Sequence, residues 1–298
     1  MHLFILLGAQ LAVGAAAIFA RYALEGTDAI MVSALRLVIA SAPLVTYTYL
    51  KYRNIRVEFQ HEILMALAGF ALACHFATWI DSLLFTSVAV STLLVSTSPV
   101  WTALYDVLIL KKRMPVTFWL ALAVGLCGVV LITANIGRAQ HTALITGNIL
   151  AGNILATAGG IALASYLILI RFVCNRYPTG VIVSRTYSWA ALLLLVTALV
   201  LRQPLPADNW HSWAGIIAMA IISQMLGHTG INAALKWFQI STVAFSTLLE
   251  PIFAGLLAWV IFSEVLSIQA VFGSALVLVS LAVILRLPQE NLEIQDAL

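Results

Sequence analysis

The sequence predicts an all-α integral membrane protein: ten transmembrane helices arranged as two inverted five-helix repeats. Three observations carry this expectation. The 298 residues are 62% hydrophobic and only 9% charged, whereas a soluble domain carries about 25% charged residues. The chain divides into ten apolar stretches joined by short polar links. Its second half also matches the first at a fixed displacement.

A helix needs about 20 mainly apolar residues to cross the hydrocarbon core. Such stretches fall at 2–22, 29–50, 62–85, 88–110, 116–135, 148–171, 180–201, 211–235, 242–262 and 267–287. The links carry breakers or charges, as in Glu25-Gly26-Thr27-Asp28, Lys111-Lys112-Arg113-Met114-Pro115 and Tyr177-Pro178-Thr179-Gly180. The joins at Thr86-Ser87 and Ile240-Ser241 are the faintest to hydropathy. His2 to Leu24 runs into a full-length apolar segment without a basic leader or a small-residue cleavage site, so it reads as the first span rather than a signal peptide.

Basic residues set the orientation, because cytoplasmic loops are enriched in Lys and Arg. With both termini in the cytoplasm, the inner side holds ten: Lys51, Arg53, Arg56, Lys111, Lys112, Arg113, Arg171, Arg176, Lys236 and Arg286. The outer side holds three, Arg21, Arg138 and Arg202; Arg36 and Arg185 fall within spans. This bias predicts a multi-pass protein of the inner (plasma) membrane with cytoplasmic ends. The basic residues form short clusters rather than a continuous face, so no nucleic acid partner is expected. Cys74, Cys127 and Cys174 make no Cys-x-x-Cys pair and read as packed thiols, with neither a disulfide nor a metal site. No cofactor is expected.

Displacing the chain by 152 residues places Pro99 on Pro251, Leu83 on Leu235, Leu104 on Leu256 and Trp101 on Phe253. The two prolines fall at the same depth of spans four and nine. Residues 1–137 are assigned to the first repeat, 147–287 to the second, and 288–298 to a short tail. Because each repeat has five spans, the second enters the membrane the opposite way up. Inverted repeats suit alternating access, with a substrate site near the midplane where the halves meet.

The stretch Ser246-Thr247-Leu248-Leu249-Glu250-Pro251-Ile252-Phe253-Ala254-Gly255-Leu256-Leu257-Ala258-Trp259, followed by Ser263-Glu264, resembles the ninth helix of the drug/metabolite transporter superfamily, EamA-like branch. Ser98-Pro99-Val100-Trp101-Thr102-Ala103-Leu104 is similar to the matching fourth helix. Many members carry an acid after the fourth helix, where this chain has Lys112. The resemblance implies a carrier for a small metabolite, an amino acid or related solute, in the export direction. It also implies a cavity lined by spans one, three, four, six, eight and nine.

Polar side chains within spans are costly in hydrocarbon and usually face the bundle interior. Helical spacing groups them. His75, Trp79 and Ser82 share a face of span three, and Gln224, His228 and Asn232 share a face of span eight. Ser98, Trp101 and Tyr105 form a stripe in span four. Asn153 and Thr157 lie four apart in span six, Gln10 and Gly14 in span one, and Ser246 and Glu250 in span nine. These stripes supply the candidate substrate contacts, each with a structural alternative as an interhelical hydrogen bond. Glu250, directly before Pro251, is the candidate proton carrier, with His75 and His228 as rivals and Ser246 as a neighbour that could instead satisfy the carboxyl. Arg36 and Arg185 are expected to serve structure, at helix-end carbonyls or by snorkelling, with anion binding as the less favoured alternative.

The expected partners are therefore a small-molecule substrate, the lipid bilayer and protons as candidate coupling ion; nothing specifies an oligomeric state. An intramembrane enzyme and a solute channel are the competing classes. His61-Glu62 begins a zinc-protease motif, but Met65 stands where the second His belongs. No Gly-x-Ser-x-Gly elbow is present, and no Gly-x-x-x-x-Gly-Lys-Ser/Thr loop provides for ATP.

Overall fold

A computed structural model describes residues 1–139, 148–206, 209–262 and 267–287. The Ser263-Glu264 pair and the 288–298 tail lie outside the described residues. Among those residues, nine helices are long and apolar enough to cross a membrane, and a broken tenth completes the set. We number the crossings α1 (His2–Gly14 and Ala16–Ala23), α2 (Ala29–Tyr52), α3 (Phe59–Ser82), α4 (Val88–Val95 and Ser98–Leu108) and α5 (Val116–Ala139). The second five are α6 (Ile149–Arg171), α7 (Thr179–Val200), α8 (Trp210–Ala218 through Met219–His228 to Thr229–Ala234), α9 (Ile240–Ser246 through Thr247–Leu249 to Glu250–Phe262) and α10 (Ile268–Arg286). The third crossing begins three residues earlier than hydropathy indicates, because Phe59, Gln60 and His61 form a first helical turn that is polar on average.

Helix pairing obeys a two-fold exchange of the halves. The packed pairs include α3 with α6 and α8 with α1, which exchange into each other when each helix is replaced by its counterpart five later or earlier. The same holds for α3 with α7 and α8 with α2. The pairs α2 with α7, α5 with α10, and α4 with α9 map onto themselves. In the α2–α7 pair, Thr48 Oγ1 near the end of α2 donates to Gly180 O at the start of α7 at 3.1 Å. The pair is thus antiparallel, as inverted repeats require.

The links fall into two groups. At one end, His61 Nδ1 and Tyr177 Oη lie 2.9 Å apart and Lys236 Nζ donates to Tyr177 O at 3.1 Å. His2 stacks on Trp237 at that end, and Arg171 pairs with Asp106 at 3.1 Å. At the other end, Thr27 donates to Pro204 O and Ser212 to Ala23 O. Large apolar side chains such as Leu120, Leu192, Val196, Phe272 and Val279 are exposed on the outer surface, where lipid is their solvent.

The repeat is most visible at its breaks. α4 stops at Val95 and resumes at Ser98, with Pro99 in its first turn. α9 passes through a 3-10 turn at Thr247–Leu249 before Glu250-Pro251. Proline has no N–H, and its ring excludes the carbonyl four residues back. Span four is therefore not the continuous 88–110 helix expected. Neighbouring helices come close at both breaks: a Cβ on Gly160 would stand 3.1 Å from the carbonyl oxygens of Leu94 and Val95, and one on Gly14 3.1 Å from that of Glu250.

Symmetry fails in α8, where Met219–His228 is a π-helix. Its counterpart α3 is regular. π-helical turns inside α-helices frequently mark functional sites.

Candidate functional site

A narrow pocket lies where six helices meet. They are α1, α3, α4, α6, α8 and α9, three from each half. Val13, Gly14, Ala16 and Ala17 give α1 a small-residue wall, and Leu163 and Leu167 give α6 an apolar one. The polar contributions are His75, Thr92, His228, Thr247 and Glu250, with Trp79 as the aromatic plate. A concave, mostly apolar site with a few fixed polar groups is what binds small organic solutes.

His75 is held by packing and one hydrogen bond. Its Nδ1 lies 2.9 Å from Gly159 O on α6. A carbonyl only accepts, so Nδ1 carries the proton of the neutral ring. Trp79, one turn on, stacks on His75 at 6.1 Å between centroids and 5° between planes. His228 approaches His75 at 6.2 Å and stands edge-on to Phe76 at 5.1 Å. The two histidines thus meet from opposite repeats. Glu250 follows the break in α9; among the described residues it has no hydrogen bond or ion pair. Ser246 does not serve it: its hydroxyl donates to Val243 O and accepts from Gln10 Nε2 at 2.6 Å.

Of the candidate contacts, the structure gathers His75, Trp79, His228 and Glu250 around the cavity. The others sit in helix contacts. Gln10 binds Ser246 across the repeats, and Ser98 and Thr247 hydroxyls lie 3.2 Å apart. Ser82 bonds Ser91 and Trp79 O. Asn153 accepts from Thr86, and Thr157 donates back to Asn153 O. Trp101 Nε1 donates to Thr97 Oγ1 at 3.2 Å. Tyr105 is half-buried near the end of α4. Asn232 donates to Tyr166 Oη at 2.5 Å, and Gln224 accepts from Arg36 at 2.8 Å. Gln224, His228 and Asn232 follow one another at four-residue intervals, yet only His228 of the three lines the cavity.

Arg36 requires a correction. It neither snorkels nor caps a helix; it is 0% exposed, with its guanidinium carbon 4.0 Å above the Phe76 ring. Arg185 behaves differently, pairing with Glu62 at 3.1 Å while half exposed. The sequence held a signal for this contrast. Arg36 shares a small and apolar helical face with Ser33, Leu37 and Ala40, all buried. Thr92 and Thr247, adjacent to the two breaks, also line the cavity and were not singled out.

Known proteins share this architecture. A solved crystal structure matches with a TM-score of 0.74 at 18% identity, covering 94% of this chain and 95% of its own. The Bacillus subtilis (strain 168) protein named uncharacterized transporter YwfM is 23% identical over 275 residues, spanning 90% of this chain and 88% of its own. Uncharacterized transporter YyaM of the same organism is 25% identical over 230 residues, covering 74% of this chain and 73% of its own. The model of the EamA-like transporter family matches residues 1–134 and again 150–286. With nearly all of its length accounted for by two successive matches to that one model, this chain belongs to the EamA-like transporter family.

Proposed function

We propose that this transporter is a secondary carrier that moves a small organic solute, an amino acid or a related metabolite, out of the cell by alternating access. The observation that carries the reading is the cavity itself, shared equally by three helices of each half and lying beside the two proline breaks. Two inverted halves can exchange conformations around a fixed site. In this reading the repeats are residues 1–137 and 147–287, and the protein lies in the inner membrane with both termini in the cytoplasm. His75, Trp79 and His228 hold the solute, and Glu250, a carboxyl at the cavity without a fixed partner, takes up and releases the coupling proton during the cycle.

The test is flux into liposomes by purified protein. Candidate solutes are first chosen by thermal shift. Saturable flux is expected without ATP. His75→Ala and Trp79→Ala should each lower it by about tenfold, the equivalent of about 1.4 kcal/mol. Glu250→Gln should remove the response to an imposed pH gradient. Flux that rises linearly with concentration would identify a channel instead. Wild-type flux in both cavity variants would move the site elsewhere.

A further inference from the structure

We propose that the solute is a monocarboxylate, and that its carboxylate is recognised by a donor cluster built from Arg36, Gln224 and His228. This assignment rests on the carrier reading and names the substrate class it leaves open.

Arg36 is wholly buried near the centre of the bundle. Its guanidinium remains protonated in proteins. Yet among the described residues it forms no ion pair, and its one hydrogen bond is from Nη2 to Gln224 Oε1 at 2.8 Å. Its Nε and Nη1 have no partner. Gln224 has spent its acceptor on Arg36, and its own Nε2 is buried without a partner. His228 Nδ1 is likewise unsatisfied. Buried polar groups are normally hydrogen-bonded, and a buried charge is normally paired. Here the unfilled positions on Arg36 and Gln224 are all N–H donors. A group that satisfies them must accept hydrogen bonds and carry negative charge. A carboxylate does both, and its two oxygens match the planar donor fork of a guanidinium.

The cluster adjoins the cavity through His228. That ring lines the cavity wall and stands edge-on to Phe76, the ring over which Arg36 lies. A carboxylate entering between His75 and His228 meets His228 first, with the guanidinium behind it. The flat body of the solute then lies along the stacked His75–Trp79 pair. Gln224 and His228 both belong to the π-helix, a segment that breaks the two-fold pattern.

The test compares matched pairs on full-length protein in detergent. Acetate, benzoate and phenylacetate are set against acetamide, benzamide and phenylacetamide, with melting temperature as the first readout and liposome flux as the second. Carboxylates should bind more tightly than their amides by about tenfold or more. Arg36→Gln should bring each pair to parity, and Arg36→Lys should keep part of the preference. Gln224→Glu guards against a variant that fails to fold. It supplies Arg36 with an internal carboxylate in place of the present amide contact, so it should fold while losing carboxylate binding. Equal binding of acids and amides by wild type overturns the proposal. So does a carboxylate preference that survives in Gln224→Glu, because the guanidinium would then be only a strut between helices. Saturable flux without carboxylate preference would reject the donor cluster and keep the carrier; Arg36-dependent binding without flux would do the reverse.

Discussion

Single side chains in this bundle are best understood by asking which repeat each partner comes from. Gln10 of the first repeat donates to Ser246 of the second at 2.6 Å, and both are 0% exposed. In a bilayer such a bond is worth about 0.6 kcal/mol on average and at most about 1.7, because the separated helices also find partners. A double-mutant cycle with Gln10→Ala and Ser246→Ala, read by unfolding in bicelles, should return a coupling energy in that range. Zero coupling would mean that Ser246 is satisfied by Val243 O alone. The stripe Gln10–Gly14 could be read from spacing, but whether the glutamine faces a solute or a serine could not. That choice depends on how α1 and α9 are rotated, and no local pattern encodes the rotation. Arg36 shows the same limit from the other side. Its small-residue neighbours betray burial, while its partner Gln224 lies 188 residues away.

At the level of elements, the closest approaches decide stability. α5 and α10 cross at a glycine pair: a Cβ on Gly128 would stand 2.6 Å from Gly273 O, and one on Gly273 2.5 Å from Gly128 O. Helices in lipid associate through close packing rather than apolar transfer, so small residues set the crossing. Gly128→Leu must push the helices apart, and overpacking of this kind costs about 1–3 kcal/mol. The control is Gly8→Ala in α1, where nothing lies within 4 Å of the added methyl. Alanine is the better helix former by roughly 0.8–1.0 kcal/mol, so Gly8→Ala should leave the melting temperature unchanged or raise it. A large loss in both would mean that glycine acts there by backbone flexibility instead. Pro99 and Pro251 stand 152 residues apart at matching depths, but the spans around them read as continuous, and the breaks in α4 and α9 appear only in the structure. The π-helix in α8 has no such marker, since no proline or glycine run falls on it. Only the structure reveals that Met219–His228, packed on α1 and α2, is wound more loosely than an α-helix.

On the scale of the whole molecule, the inverted repeat makes a claim about sides that charge alone cannot complete. The structure groups the links after α2, α6 and α8 at one end through His61, Tyr177 and Lys236, and those after α1 and α7 at the other through Thr27 and Pro204. That alternation matches the count of ten basic residues against three. Hydropathy therefore located all ten crossings, span four included, while in the structure the two pieces of that span are each too short to cross alone. If basic links are retained in the cytoplasm, Lys51 and Lys112 share that side and Arg202 lies opposite. The measurement is labelling of single cysteines at these positions in intact cells, after Cys74, Cys127 and Cys174 are replaced by alanine or serine. A membrane-impermeant maleimide should block Arg202→Cys from outside and spare Lys51→Cys and Lys112→Cys until the cells are opened. Labelling of Lys51→Cys and Lys112→Cys from opposite sides would require an odd number of crossings between them. The halves could not then be inverted copies, and exchange of conformations between them would cease to be a route across the membrane.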